Sequence, residues 1–252
     1  MASGPGVHIA AALAGLAVLL ALGCATAPEP PSAPPPARPA ATPAPPAGPA
    51  DRARSQLAGQ GIEFSSREFL DRCFRGDVAT VLLFLEAGMP ATTKGPRGSA
   101  LDDAITQKRV AVAKVLLAAG ANPDEVVDRY GTTILHRAVD SGNPAIVEAL
   151  LAAKANPSPV NEYKVSPLSS ASLEGRIEMV KLLIARGADV GTRDASGGTA
   201  LSSAVLRGHL EIARLLIAAG ADVRRDRKAL LDLARQQKNM AMEKLILEAA
   251  GP

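Results

Sequence analysis

Hydrophobic and polar positions divide the chain into three stretches of different character. From Ile9 to Leu22 the sequence reads IAAALAGLAVLLAL, an unbroken apolar run. From residue 25 to 50 no apolar period survives, and eleven of the twenty prolines crowd into this stretch. Beyond Ser65 apolar residues return at helical spacing. Ile146, Val147, Ala149 and Leu150 form one stripe, matched by Met179, Val180, Leu182 and Leu183 and by Ile212, Ala213, Leu215 and Leu216. Residues at i, i+1, i+3 and i+4 share one face of an α-helix, so each stripe predicts an amphipathic helix with a buried side. A shorter helix is predicted before each one. It starts at Thr133, Ser166 or Thr199, whose hydroxyls can cap the first free amides, and stops at Gly142, Gly175 or Gly208. A second glycine closes the longer helix by taking the left-handed conformation.

The endings of the longer helices recur: LEAGM at 85–89, LAAGA at 117–121, LAAKA at 151–155, IARGA at 184–188 and IAAGA at 217–221. Their fourth letters, Gly88, Gly120, Lys154, Gly187 and Gly220, are spaced 32, 34, 33 and 33 residues apart. A fixed period of this length marks a solenoid of stacked units rather than a globular domain. One helix pair buries too little surface to stand alone, so units must stack and the end units must be altered to face water. Both ends are altered. The first unit, SREFLDRCFRGDVATVLLFLEAG, carries charges where inner units have Thr and Ala, and the last, KALLDLARQQKNMAMEKLILEAAG, lacks the Thr-Pro pair. Lys154 replaces a helix-closing glycine, which predicts a lysine held in a left-handed conformation.

The inner units GTTILHRAVDSGNPAIVEALLAAKAN, VSPLSSASLEGRIEMVKLLIARGADV and GGTALSSAVLRGHLEIARLLIAAGADV resemble the ankyrin repeat. Its phrase runs G-x-T-P-L-H-x-A-A-x-x-G-H and ends in L-L-x-x-G-A-D-V-N. The resemblance implies an all-α solenoid of six helix-turn-helix units over residues 66–251, with short projecting loops, inside a domain spanning 61–252. It also implies a partner-binding surface made of the loop tips and the eighth and ninth places of each first helix, which together line a concave face. The tips hold Arg129 with Tyr130, Glu162 with Tyr163, and Ala195 with Ser196. Places eight and nine hold Phe74 with Arg75, Thr106 with Gln107, Asp140 with Ser141, Leu173 with Glu174, and Leu206 with Arg207. The chain's two tyrosines fall one period apart on adjacent tips, and Tyr and Arg often dominate the energetics of protein interfaces.

The N-terminal apolar run is long enough for a signal-peptide core and short of the ~20 residues that a membrane-spanning helix needs. Its end, Ala21-Leu22-Gly23-Cys24, resembles the lipobox of bacterial lipoproteins, which implies a signal peptide over 1–24, acylation at Cys24 and a lipid anchor. Ala21 stands where leucine is usual, and no Lys or Arg precedes the run. Cleavage after Ala27 and an uncleaved anchor are the competing readings. Residues 25–60 read as a spacer. In polyproline geometry at ~3.1 Å per residue, its proline-rich part could reach on the order of 80 Å from a membrane.

Composition narrows the function classes. The 47% hydrophobic content comes from Ala, Leu and Val, with 2% aromatic residues and no Trp, a mixture suited to closely packed helices. Net charge is +3 with both signs interspersed, which argues against a nucleic-acid partner. The tightest basic run, Arg224, Arg225, Arg227 and Lys228, reads as a solvated loop. Cys24 and Cys73 flank the proline-rich stretch and define no disulfide framework, and Cys73 reads as a core residue. His136 and Asp140 lie four apart, but His136 matches the histidine of the repeat phrase and reads as a brace for the loop. His209 is structural by the same resemblance. Gly197 and Gly198 belong to a tight loop rather than a phosphate cradle. No metal ligand set or cofactor motif is present in this reading, so the expected protein is a monomeric, non-catalytic binder. It is expected to be exported to a Gram-negative periplasm or outer membrane and to capture a protein partner, as an immunity protein or inhibitor would. The competing expectation is an envelope component that stabilises neighbouring enzymes.

Overall fold

The computed structural model describes residues 48–251. There the chain forms six helix pairs: α2 (Ser66–Arg75) with α3 (Val78–Glu86), α4 (Ala100–Thr106) with α5 (Val110–Ala118), and α6 (Ile134–Ser141) with α7 (Pro144–Ala152). They continue with α8 (Pro167–Leu173) and α9 (Ile177–Ala185), α10 (Ala200–Arg207) and α11 (Leu210–Ala218), then α12 (Val223–Gln236) and α13 (Met240–Ala250). A further helix, α1 (Pro49–Gly59), precedes them, and a short antiparallel hairpin, β1 (Lys94–Gly95) with β2 (Gly98–Ser99), projects before α4. First helices pack on first helices and second helices on second helices, giving two layers. The all-α repeat solenoid expected from the sequence is thereby observed.

Most of these helices have only 7–10 residues, below the ~12–15 at which an isolated helix becomes even marginal in water, so stacking must hold them. The longer helices present a column of fully buried residues, Phe84, Leu116, Leu150, Leu183, Leu216 and Ile246, and the first helices a second, Leu101, Leu135, Leu168 and Leu201. Each such side chain contributes roughly 1.5–3 kcal/mol by leaving water. Where inner units bury Ala104, Ala138, Ala171 and Ala204, the first unit has Arg72, paired with Glu68 and Asp77 at the rim. Cys73 is fully buried, and burial pushes its thiol pKa up to about 12, as expected of a core residue.

Local sequence sets the helix ends. Ser65, Ser99, Thr133, Ser166 and Thr199 each stand at the N-cap of a first helix. At the closing positions the backbone turns left-handed whether or not glycine is present. The only non-glycine residues with positive φ among those described are Lys108, Lys154, Lys164 and Lys238, and Lys154 has φ 66°.

Four of the five joints between units carry a common link. Arg109 Nε donates to the Phe74 carbonyl (3.1 Å), Arg176 Nη1 to that of Val139 (2.6 Å), and Gln237 Nε2 to that of Leu206, while His209 Nε2 lies 3.3 Å from the Leu173 carbonyl. Each link satisfies a last-turn carbonyl of the preceding first helix, which has no partner within its own helix. Glycine makes the room. A Cβ at Gly76, Gly142 or Gly175 would lie 2.8, 2.6 or 2.6 Å from the linking side chain.

Two expectations are corrected. The spacer expected over 25–60 does not extend to 60, because α1 occupies Pro49–Gly59 and buries Ala53 and Leu57 against α3. Proline is well placed at a first helical position, and Ala53 and Leu57 are i,i+4 neighbours on one face. Residues 25–47 and Cys24 lie outside the described residues. The basic run at 224–228 is not a loop but the first two turns of α12. Asp222 accepts from the Arg225 amide at its start, and Asp226 pairs with Arg193 at 2.8 Å.

Candidate protein-binding surface

The projecting loops are built by one device repeated every 33 residues. Asp128 Oδ1 accepts from the amides of Tyr130 (2.8 Å) and Thr132 (3.0 Å), Asn161 Oδ1 from Tyr163 and Val165 (both 3.0 Å), and Asp194 Oδ1 from Ser196 and Gly198 (both 2.8 Å). These Asx turns fix the tips, and single antiparallel bridges, Val126 with Thr133 and Arg193 with Thr199, close two of the loops beneath them. Burial opposes ionisation of Asp128 and Asp194. Hydrogen bonds from Thr132 and Tyr130, and from Ser196, Gly198 and Gly197, outweigh it and hold both carboxyls below the usual range. Sequence reasoning named the tip residues but missed this acidic or amide anchor, although its period was legible.

Adjacent tips are joined by backbone bonds, Glu162 N to the Tyr130 carbonyl (2.8 Å) and Ala195 N to that of Tyr163 (2.9 Å). The ladder brings the two tyrosine rings together with centroids 6.1 Å apart and planes at 32°. Tyr130 is 37% and Tyr163 57% exposed, so the pair keeps most of one ring open to solvent. Arg129 lies 4.8 Å above the Tyr130 ring and donates to its hydroxyl at 2.5 Å, which holds ring and guanidinium in one arrangement. Glu162 is exposed beside them.

The eighth and ninth places are less uniform. Arg75, Asp140, Glu174, Leu206 and Arg207 are exposed, with Leu206 at 47%, while Gln107 and Leu173 are half-buried. Phe74 is also half-buried, because Arg97 from the hairpin lies 4.8 Å over its ring while forming a two-pronged contact with buried Asp103 at 3.2 Å. Arg97 was not among the sequence candidates. Its position depends on a hairpin whose tip departs from the other loops. Glu174 pairs with Arg176, and Asp140, though its side chain reaches solvent, is held above the ordinary carboxylate range by partial desolvation and by the Glu174 charge, against the pull of Arg176 and Arg137.

His136 and Asp140 do not form an acid-base pair in this geometry. Both imidazole nitrogens are committed: Nδ1 to Thr133 N (3.2 Å) and Oγ1 (2.9 Å), Nε2 to the Val165 carbonyl (3.0 Å). Burial lowers the His136 pKa, keeping the ring neutral with its proton on Nε2, where it donates to the next loop. His136 is therefore a brace between the third unit and the tip of the fourth. His209 is the carbonyl link described above, and Gly197 and Gly198 sit in the Asp194 turn.

A family model for ankyrin repeats, three copies long, matches the chain in overlapping windows at residues 72–161, 101–194, 135–227 and 168–251. No curated protein matches the chain.

Proposed function

The chain belongs to the ankyrin-repeat family, a protein-protein interaction module, and we propose that it captures a protein partner with its loop tips and the first-helix face beside them. The observation that carries this reading is the exposed pair Tyr130 and Tyr163, whose tilted rings pack against each other and are clamped by Arg129 at the two central tips. Large aromatic rings held in fixed positions offer contact area at little further entropy cost, which is why Tyr and Arg recur as interface anchors. Leu206, Arg207, Leu173 and Glu174 supply a mixed apolar and charged continuation on α8 and α10, and Phe74, Arg75 and Gln107 a second contact zone on α2 and α4. Mixed charge along this surface favours a protein over a nucleic acid.

The uncharged run ending at Cys24 supports export and acyl anchoring in a bacterial envelope, where the partner would be met. Within that setting the reading is an inhibitor or immunity protein that covers a partner enzyme. Partner activity measured on capture separates this from a stabilising role: inhibition supports the former, and protection without inhibition the latter.

The test is affinity capture from envelope extracts with the full chain and its Tyr130→Ala/Tyr163→Ala variant. Each ring in a dehydrated contact should contribute about 2 kcal/mol or more, so the double variant should weaken capture by well over tenfold. Loss of the ring-ring contact should lower stability by no more than about 1 kcal/mol, leaving a folded protein. Undiminished capture by the folded variant would remove the tips from the interface.

A further inference from the structure

The joint between the second and third units is built differently from the rest. Elsewhere a side chain near the start of a second helix reaches back over a glycine to a carbonyl of the preceding unit. At this joint Lys108 occupies the glycine's place, with φ 55°, and Asn143 turns its Oδ1 onto its own helix at the Ala145 amide (3.1 Å). No backbone bond joins the tips here among the described residues, although Glu162 to Tyr130 and Ala195 to Tyr163 join the next two pairs.

Charges take over instead. Arg137 Nε lies 3.1 Å from Asp102 Oδ1, Lys94 Nζ lies 2.7 Å from Glu125 Oε1, and Ser99 Oγ donates to Glu125 Oε2 at 2.6 Å. Asp102 is buried and Glu125 partly so, with side chains 7% and 12% exposed, whereas Lys94 is 63% and Arg137 35% exposed. Asp102 Oδ1 is buried and receives no well-aligned hydrogen bond, and Arg137 is the cation that faces it. Such a junction loses strength when salt screens its exposed cations, whereas the neutral carbonyl acceptors elsewhere are less affected.

We propose that this junction is a salt-sensitive joint at which the solenoid divides into two cooperative blocks, α1–α5 and α6–α13. In a stack where each unit touches only its neighbours, one weak interface is enough to uncouple the units on either side. The joint also divides the surface described above. Phe74, Arg75 and Gln107 ride on the first block, and the tyrosine tips with Leu173 and Leu206 on the second, so loosening it changes the angle between the two contact zones.

Hydrogen exchange along a urea series, read helix by helix on the full chain, tests it. Raising salt from about 0.02 M to about 0.5 M shortens the screening length from roughly 20 Å to roughly 4 Å. Amides of α2–α5 should then lose protection at clearly different urea from those of α8–α11, and the gap should widen with salt. Lys108→Gly/Asn143→Arg grafts the missing link and should strengthen the coupling roughly fivefold, drawing the two transitions together. Arg176→Leu removes an existing link and should open a new division between the third and fourth units, a result readable even if the graft fails to fold. One common transition at both salts in the wild type, or an undivided stack in Arg176→Leu, would overturn the proposal.

Discussion

Replacing Gly175 with alanine tests the carbonyl link and the glycine beneath it together. Gly175 has φ 73°, and a Cβ there would lie 2.6 Å from His209 Cε1 and 2.8 Å from Nε2. Alanine in that conformation costs about 1 kcal/mol by itself. The imidazole must also swing away, leaving the Leu173 carbonyl without the donor now 3.3 Å from it, for about 1 kcal/mol more. Gly187 has φ 82° with nothing within 4 Å of the added atom, so Gly187→Ala carries only the backbone cost. Gly175→Ala should therefore destabilise by about 2 kcal/mol against about 1 kcal/mol for Gly187→Ala. In a His209→Ala background the cost of Gly175→Ala should fall back to about 1 kcal/mol, a coupling measurable by a double-mutant cycle. Urea unfolding followed by circular dichroism, with exchange in α8–α11 as a local readout, gives these differences. Equal costs at the two glycines, or no change in the His209→Ala background, would refute the link as a stabilising contact.

Lys154→Gly should raise the unfolding midpoint by the equivalent of about 1 kcal/mol, since a lysine at φ 66° bears the left-handed cost and glycine does not; a lower midpoint would contradict it. Burial lowers the His136 pKa from its ordinary 6.5, so the unfolded chain takes up its proton first as pH falls. The stability His136 contributes is complete above about pH 6.5 and is lost toward its lower folded value, and it should appear as a shrinking advantage of wild type over His136→Gln in acid titrations. Metabolic labelling with a fatty acid should mark the wild type and not Cys24→Ser, which should leave the membrane fraction; unlabelled wild type cleaved after Ala27 would exclude acylation.

Much of the repeating architecture was legible because each unit states it locally. The spacing of Ile146, Val147 and Leu150 and of their periodic equivalents, the capping hydroxyls at Thr133, Ser166 and Thr199, and the stops at Gly142, Gly175 and Gly208 each depend on residues within one turn of helix. Cys73 and His136 were readable for the same reason, since place in the repeat determines burial. The boundary at the N-terminal end was not readable. Pro49–Gly59 has only Ala53 and Leu57 to mark a face, and whether that face is buried depends on α3, which lies some twenty residues further on. The basic run at 224–228 was misread because the loop that precedes every inner unit is there replaced by helix.

The candidate surface divides along the same line. Periodicity alone placed Tyr130 and Tyr163 on neighbouring tips. Their contact, the clamp by Arg129, and the cover that Arg97 lays over Phe74 arise from side-chain directions across units, to which spacing is blind. The same holds for the joints: Lys108 and Asn143 look like ordinary substitutions in a repeat, and only the stacked structure shows that together they remove one link of a series. Local propensity and period determine which helices form. The links between units join residues about 30 or more positions apart, as Arg109 does with Phe74, and their geometry exists only once one unit is seated on the next.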